Sequence, residues 1–282
     1  VYSPSSFQVG LFGSVISVAF IVFLMGTWFW RAYVGINTED SSGVAKIARN
    51  SIAPIILNLF NRGIDFVFAI VMYRLLVPLD IGIYNFAVVV FVWFDIFTNF
   101  GLDLFLIREA SQQKNKAGYY FYNTSFFRVF LSVVGIPLLL GFLLIFQSSG
   151  AEAITSDGLI AIGLLYLGLF PASLSKGMTS LFYANEQAEK PAAIATITTM
   201  NKAIFGVIAL TLGYGIIGIA TVSILNNFLT FAVLVWTGRK FIGHITSKLP
   251  NRSLIREMIT ESFPLMLNHF LATIFFQIDI VI

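Results

Sequence analysis

The fold is decided by stretches such as YYFYNTSFFRVFLSVVGIPLLLGFLLIF, Tyr119–Phe146, in which Arg128 is the only fully charged residue. Apolar runs of about 20 residues, the length needed to cross roughly 30 Å of hydrocarbon, recur along the whole chain. Such runs are apolar on every side, which excludes amphipathic surface helices, and they are longer than β-barrel strands and do not alternate. The sequence therefore predicts an all-α fold, a polytopic transmembrane helical bundle.

The composition agrees with a membrane protein. Hydrophobic residues make up 57% of the 282 residues and charged residues only 11%, where a soluble domain carries roughly a quarter. Cysteine is absent, which excludes disulfides, cysteine-ligated zinc and thiol nucleophiles. The net charge of +3 is small, so nucleic acid is not an expected partner. We find no Ser/His/Asp set, metal-spaced histidine cluster or phosphate loop, and we expect neither enzyme activity nor a cofactor or metal.

The chain is predicted to cross the membrane about eight times. Its first apolar run lacks the basic n-region and cleavage site of a signal peptide, so we interpret it as a span. Its last run continues to Ile282 without a polar flank, and we therefore expect the chain to be a fragment truncated at its C-terminus. The predicted spans are Phe7–Trp30, Ile52–Val77, Gly82–Ile107, Tyr119–Phe146, Leu159–Tyr183, Ala192–Leu212, Ile216–Thr237 and a run beginning near Ser262.

Basic residues are concentrated in alternate loops, which predicts the orientation by the positive-inside rule. The loops after the first, third, fifth and seventh spans hold twelve of them, whereas the opposite loops hold Arg74 alone. We expect a multi-pass protein of the cytoplasmic membrane, with basic loops in the cytoplasm and the N-terminus of the first span outside. The twelve residues are Arg31, Lys46, Arg49, Arg108, Lys114, Lys116, Lys190, Arg239, Lys240, Lys248, Arg252 and Arg256.

A weak internal repeat relates the second and eighth spans. Pro54 is followed four residues later by Asn58, and Pro264 is followed in the same way by Asn268. Two halves of the same orientation would be related by an axis along the membrane normal and would enclose a central cavity. On this hypothesis Asn58 and Asn268 are polar cavity residues; chance similarity of two helix starts is the alternative.

Ionisable residues inside predicted spans point most directly to function. Each costs about 2.5–3.5 kcal/mol at mid-bilayer on insertion scales, so none should face lipid. Arg62 and Asp65 share one helix face and form either a self-neutralising pair or a substrate cation beside an ion-binding carboxylate. The ionisable residues within spans are Arg62, Asp65, Asp95, Asp103, Arg128, Lys176, Lys202 and Asp279.

Three of these cations, Arg128, Lys176 and Lys202, have no acid at helical spacing. They indicate a cavity that receives an anion such as a pyrophosphate, although Lys176 could instead extend along its helix to the cytoplasmic interface. We therefore predict Arg62 and these three as the substrate cavity. Asp65 and Asp95 are predicted as coupling-ion or polar cavity residues.

Other polar residues and prolines within spans are predicted to shape the bundle. Asn226 and Asn227 are expected to join helices by hydrogen bonds. Pro54, Pro137 and Pro171 are expected to kink their helices, because proline removes one backbone hydrogen bond.

The motif RLLVPLDIGIY, Arg74–Tyr84, resembles the junction between the first two helices of polysaccharide-type flippases in the multidrug/oligosaccharidyl-lipid/polysaccharide (MOP) exporter superfamily. Phe100–Glu109 is similar to the end of that family's second helix, Tyr183–Glu186 to the loop after its fourth helix, and Gln277–Asp279 to its seventh helix. The resemblance covers about residues 45–282. It implies an extra N-terminal helix and linker at 1–44, the MATE-like N-terminal six-helix lobe at 45–240, and a cytoplasmic connector with the start of a second lobe at 241–282.

The same resemblance implies a flippase or exporter that carries a lipid-linked oligosaccharide across the cytoplasmic membrane by alternating access. Its implied partners are an isoprenoid-pyrophosphate-linked oligosaccharide, membrane lipid, and polysaccharide polymerase or assembly proteins. Two alternatives stay open. Asp65 and Asp95 would suit a proton- or sodium-coupled multidrug or cation antiporter of the same superfamily, and a large external loop elsewhere would suit a membrane-embedded polysaccharide polymerase.

Overall fold

The computed structural model describes residues 43–148, 154–242 and 252–277, and these residues form α-helices joined by short connections. The first predicted span, most of the linker after it, and Asp279 lie outside the described residues. The helices are α1 (Gly43–Leu75), α2 (Pro78–Asn99), α3 (Leu102–Gln112), α4 (Ala117–Ser148), α5 (Ser156–Leu167), α6 (Leu169–Ala184), α7 (Glu189–Thr211), α8 (Gly215–Ile242) and α9 (Arg252–Gln277), with a 3-10 turn at Lys114–Lys116.

Six stretches of the described residues are long and apolar enough to cross a membrane. They coincide with the second to seventh predicted spans, which confirms the all-α polytopic bundle. The predicted eighth span corresponds to α9, which begins at Arg252 rather than near Ser262, and α9 is not among the six. The stretches are Ile52–Leu75, Pro78–Gln112, Lys114–Ser148, Ser156–Ala184, Glu189–Thr211 and Gly215–Ile242.

Two of the predicted spans are each divided into two helices. The break between α2 and α3 lies at Phe100 and Gly101, whose φ angles of 51° and 72° are left-handed, a conformation that interrupts an α-helix. The break between α5 and α6 lies at Gly168, three residues before Pro171, whose missing N–H removes a backbone hydrogen bond. Pro54 and Pro137, by contrast, lie inside the continuous helices α1 and α4.

Two apolar clusters stabilise the bundle at its opposite ends. We call the end with the α1–α2 and α7–α8 turns the upper end, and the other end the lower end. The upper cluster contains Phe68, Tyr84, Tyr166 and Val207, and the lower cluster includes residues of α3, α4, α6, α7, α8 and α9. Several buried polar side chains, among them Arg128, Ser132 and Ser173, lie between the two clusters.

Helix α9 packs against α2 and α3 at their break. A side chain at Gly101 would leave no room, since its Cβ would lie 2.8 Å from the Ser262 backbone oxygen. Arg108 of α3 forms ion pairs with its neighbour Glu109 and with Glu261 of α9. The position of α9 therefore depends on the break as well as on apolar packing.

Candidate functional site

The most deeply buried charge in the described part of the bundle is Arg128 of α4, whose side chain is 0% exposed. Its Nη1 donates a hydrogen bond of 2.8 Å to the backbone oxygen of Ser173 on α6. Its Nε and Nη2 have no hydrogen-bond partner among the described residues. A guanidinium that is buried with two unpaired nitrogen atoms is costly, so its position requires specific support from the surrounding helices.

Two features of the surroundings supply that support. Gly177 leaves space for the guanidinium, because a Cβ there would lie 3.0 Å from Arg128 Nη1 and 3.2 Å from Phe121 Cε2. The carboxylates of Asp103 on α3 and Asp95 on α2 favour the charged guanidinium through Coulomb attraction. These acids and the space in α6 thus offset part of the cost of burying Arg128.

Lys176 is not an unpaired cation, which corrects the expectation from the sequence. Its Nζ lies 2.5 Å from Oδ2 of Asp95 on α2. The acid is invisible to helical spacing because it comes from another helix. The Lys176 side chain is 38% exposed and that of Asp95 is 16% exposed, and Oδ1 of Asp95 has no partner among the described residues.

Asp95, Arg128 and Lys176 are therefore brought together around one turn of α6. Arg128 contacts the Ser173 carbonyl and the space over Gly177, while Lys176 lies between those two residues in the chain. We call these three charged residues the inner cluster. Sequence reasoning missed Ser173 and Gly177, although a small residue at each of two positions four apart is typical of close helix packing in membranes.

The remaining predicted site residues lie on other helices. Arg62, Asp65 and Asn58 are exposed on α1, and Lys202 is half-buried on α7. Within the described residues no ion pair joins Arg62 and Asp65. The self-neutralising pair, one of the two interpretations from the sequence, is therefore not formed. Lys202 likewise has no ion-pair partner there.

Helices α1 and α7 pack closely against each other. A Cβ added to Gly206 of α7 would lie 2.7 Å from the Phe68 ring of α1. Asp65 precedes Phe68 by three residues and Lys202 precedes Gly206 by four, so each lies near the helix face that makes this contact. Asp65 and Lys202 are therefore close to the contact between α1 and α7.

Two neighbouring asparagines of α8 make different contacts. Asn227 Nδ2 donates a hydrogen bond of 3.1 Å to the backbone oxygen of Gly168, so it joins α8 to the break between α5 and α6, as predicted. Asn226 lines a groove between α7 and α8 together with Asn201. Asn268 is exposed on α9.

Comparisons with known proteins agree with this fold. The family described as "Polysaccharide biosynthesis protein" matches residues 47–282, while a search of curated proteins finds no match. A solved MOP superfamily transporter from Pyrococcus furiosus, whose binding pocket of reverse polarity suggests a different function, aligns with a TM-score of 0.56 and 17% identity. The alignment covers 79% of this chain and 52% of that one, so the chain spans about half the length of that transporter. At this identity the likeness concerns the fold alone. The family match includes every candidate residue discussed above, and the chain belongs to the polysaccharide biosynthesis protein family.

Proposed function

We propose that this chain forms part of a flippase that moves a lipid-linked oligosaccharide across the membrane by alternating access. The observation that carries the proposal is the exposed face of α1 and α7, where Arg62 and Lys202 have no counter-ion among the described residues. A charged side chain near mid-span cannot face lipid at acceptable cost. This face therefore lines a polar cavity, and its cations suit an anionic substrate group.

The depth of these residues supports a single cavity wall. Successive spans run in opposite directions, so α1 and α7, which are separated by three spans, run the same way. The contact between Phe68 and Gly206 follows Asp65 by three residues and Arg62 by six on α1, and it follows Lys202 by four residues on α7. Since both helices rise about 1.5 Å per residue, the three charges are within roughly one turn of the same depth.

The net charge of this wall favours an anion. Arg62 and Lys202 contribute two positive charges and Asp65 one negative charge, all on partly or fully exposed side chains. A pyrophosphate between a guanidinium and an ammonium would form charge-assisted hydrogen bonds to both. An oligosaccharide attached to it would occupy the remaining polar space, where exposed Asn58 offers further hydrogen bonds.

The inner cluster has a different part in the proposal. Arg128 is completely buried, so it does not reach the cavity in this conformation. Lys176, the more exposed member, lies at the rim of the cluster and is held by Asp95. We assign to Arg128 and Asp95 the positioning of α2, α4 and α6, and to Lys176 a substrate contact that becomes available when Asp95 releases it.

The test uses the full-length protein in proteoliposomes and follows the movement of an isoprenoid-pyrophosphate-linked oligosaccharide between leaflets. The variants Arg62→Gln and Lys202→Gln should each lower the rate about tenfold or more, the effect of losing one charge-assisted contact. Lys190→Gln, which removes a cation from the first turn of α7, is the matched control and should keep the rate. Full activity of both cavity variants would overturn the proposed site, and an inactive unmodified protein would overturn the flippase.

A second candidate rests on Asp65, which is exposed without an ion-pair partner in the described part of the chain. A free carboxylate at this depth suits exchange of a cationic drug for a proton or sodium ion. Ion-dependent efflux of a cationic dye, lost in Asp65→Asn, would favour this antiporter. The excess of positive charge around Asp65 favours the anion instead.

A further inference from the structure

A groove runs between α7 and α8 on the outer surface of the bundle. It encloses about 330 Å³. Its α7 wall contains Phe205 and Ile208, and its α8 wall contains Leu225 and Leu229. All four side chains are exposed although they are large and apolar, so the groove is a concave apolar surface that the described helices leave uncovered.

One level of the groove is polar. Asn201 and Asn226 both line it. Asn201 precedes Gly213 in the α7–α8 turn by 12 residues, and Asn226 follows Gly213 by 13 residues. At about 1.5 Å per residue, both amides are roughly 18 Å from the turn at the upper end, which is near the middle of a hydrocarbon layer about 30 Å thick. Most of the apolar lining extends from these amides toward the upper end, and Leu229 lies about one turn below Asn226.

The polar level of the groove adjoins the cationic face of α1 and α7. Lys202 follows Asn201 directly and is therefore about 100° around α7 from it. Lys202 lies toward the α1 contact, because it is four residues from Gly206, where the Phe68 ring of α1 packs. A ligand that binds Lys202 with an anionic group can thus place an attached apolar chain in the groove without crossing the bundle.

We infer that the α7–α8 groove holds the isoprenoid chain of a lipid-linked pyrophosphate whose anionic head lies on the cationic face at Lys202. The inference rests on the proposed function, and it names where the tail of that substrate binds. The chain covers the exposed apolar walls. The pyrophosphate neutralises the cations, and the amides of Asn201 and Asn226 lie where the polar head meets the apolar tail.

Charge complementarity selects this occupant over an ordinary membrane lipid. The headgroups of bilayer phospholipids remain at the interface, whereas the cations and amides beside the groove lie near mid-span. A substrate whose phosphate enters the bundle while its tail stays in lipid can bind the cations with its phosphate and cover the apolar walls with its tail. A phospholipid acyl chain would cover only the apolar part and would leave Lys202 unpaired.

The inference can be tested by photo-crosslinking the full-length protein in proteoliposomes with a polyprenyl phosphate that carries a diazirine in its tail. Labelled peptides are identified by mass spectrometry, and we expect label on α7 and α8 at the groove. Leu225→Trp fills the groove and should lower this labelling at least about fivefold. Leu144→Trp is the matched control on α4, because Leu144 is 69% exposed and Leu225 is 64% exposed.

Two further experiments identify the chemical class of the ligand. Lys202→Gln should weaken labelling by the polyprenyl phosphate but not by the corresponding polyprenol, since only the former carries the anion. With the protein in detergent, unlabelled polyprenyl phosphate should compete for the groove, and added unlabelled phospholipid should not. Equal competition by phospholipid, or labelling that is unaffected by Leu225→Trp, would overturn the inference.

The same proteoliposomes separate this inference from the proposed function. Groove labelling needs binding but no transport. Substrate movement without groove labelling would overturn the tail site and leave the flippase intact. Groove labelling that responds to Leu225→Trp in a protein that moves no substrate would support the tail site and overturn the flippase.

Discussion

Asp95 and Lys176 form an ion pair between α2 and α6, with 2.5 Å between Oδ2 and Nζ, in the membrane-spanning part of the bundle. Asp95 is the less exposed partner, and its second carboxylate oxygen is unpaired among the described residues. Arg128, whose charge Asp95 favours through Coulomb attraction, has two nitrogen atoms without a partner in the described part of the chain. Removal of Asp95 should therefore affect Lys176 on α6 directly and Arg128 on α4 through its charge.

Replacing Asp95 by asparagine should destabilise the protein by roughly 1–3 kcal/mol. This is less than the 3–5 kcal/mol typical of breaking a fully buried pair, because the Lys176 side chain is 38% exposed and water can solvate part of it. The free energy of unfolding in detergent measures the effect. The double variant Asp95→Asn/Lys176→Gln should recover part of the loss, and strictly additive losses would show that the pair is not coupled.

The variant Gly177→Ala should lower stability by about 1–3 kcal/mol, because the added methyl group crowds Arg128 and the Phe121 ring in a packed interior. Gly163→Ala is the control. No atom of the described residues lies within 4 Å of a Cβ at Gly163, so alanine there should be neutral or stabilise the helix by up to about 1 kcal/mol. Thermal unfolding of both variants in the same detergent makes the comparison, and equal effects would contradict the crowding.

A side chain at Gly101 should displace α9. Gly101→Ala combines a left-handed φ of 72° with a Cβ 2.8 Å from the Ser262 backbone oxygen, whereas Gly213→Ala has a φ of 83° and a Cβ with no other described residue within 4 Å. Both variants should lose about 1–2 kcal/mol from the backbone conformation, but only Gly101→Ala should move α9. Because the chain has no cysteine, spin labels on cysteines introduced at exposed Leu104 and Glu257 can measure the distance. An unchanged distance in Gly101→Ala would count against the contact.

The variants Arg128→Ala and Lys202→Ala should both impair transport while leaving membrane insertion intact, but for different reasons. Arg128→Ala removes the hydrogen bond to Ser173 and leaves a cavity in the interior, at a cost of about 2–4 kcal/mol in stability. Lys202→Ala removes a side chain without an ion-pair partner among the described residues, and its stability should change by less than about 0.5 kcal/mol. Transport rate and unfolding, measured on one preparation, distinguish the two. Unchanged transport in both variants would remove the anion cavity.

Much of the fold could be predicted because a membrane span is a local property. Twenty apolar residues must form a helix in hydrocarbon, where backbone groups find no water, so the second to seventh spans agree with the structure. Helix breaks were harder to predict. The sequence predicts a kink at each of three prolines, and a break lies close to Pro171, at Gly168. Pro54 and Pro137 lie within continuous helices, because neighbouring helices can accommodate a missing hydrogen bond.

The environments of the three cations in the site depend on contacts between helices. Arg128, Lys176 and Lys202 look equivalent in the sequence, as cations without an acid at helical spacing. Tertiary packing separates them: Arg128 is buried against Ser173, Lys176 is paired with Asp95, and Lys202 has no ion-pair partner in the described part of the chain. The division into an extra helix, one lobe and the start of another stays a prediction.

The multi-span helical bundle and the small number of charges inside its spans follow directly from the amino-acid sequence. Both result from the cost of placing polar groups in hydrocarbon, which each segment meets independently. Which charges meet depends on tertiary packing, because the partner of Lys176 lies 81 positions away in the chain and on another helix. The partner of a buried charge is set by which helices pack together, and periodicity within one helix carries no information about its neighbours.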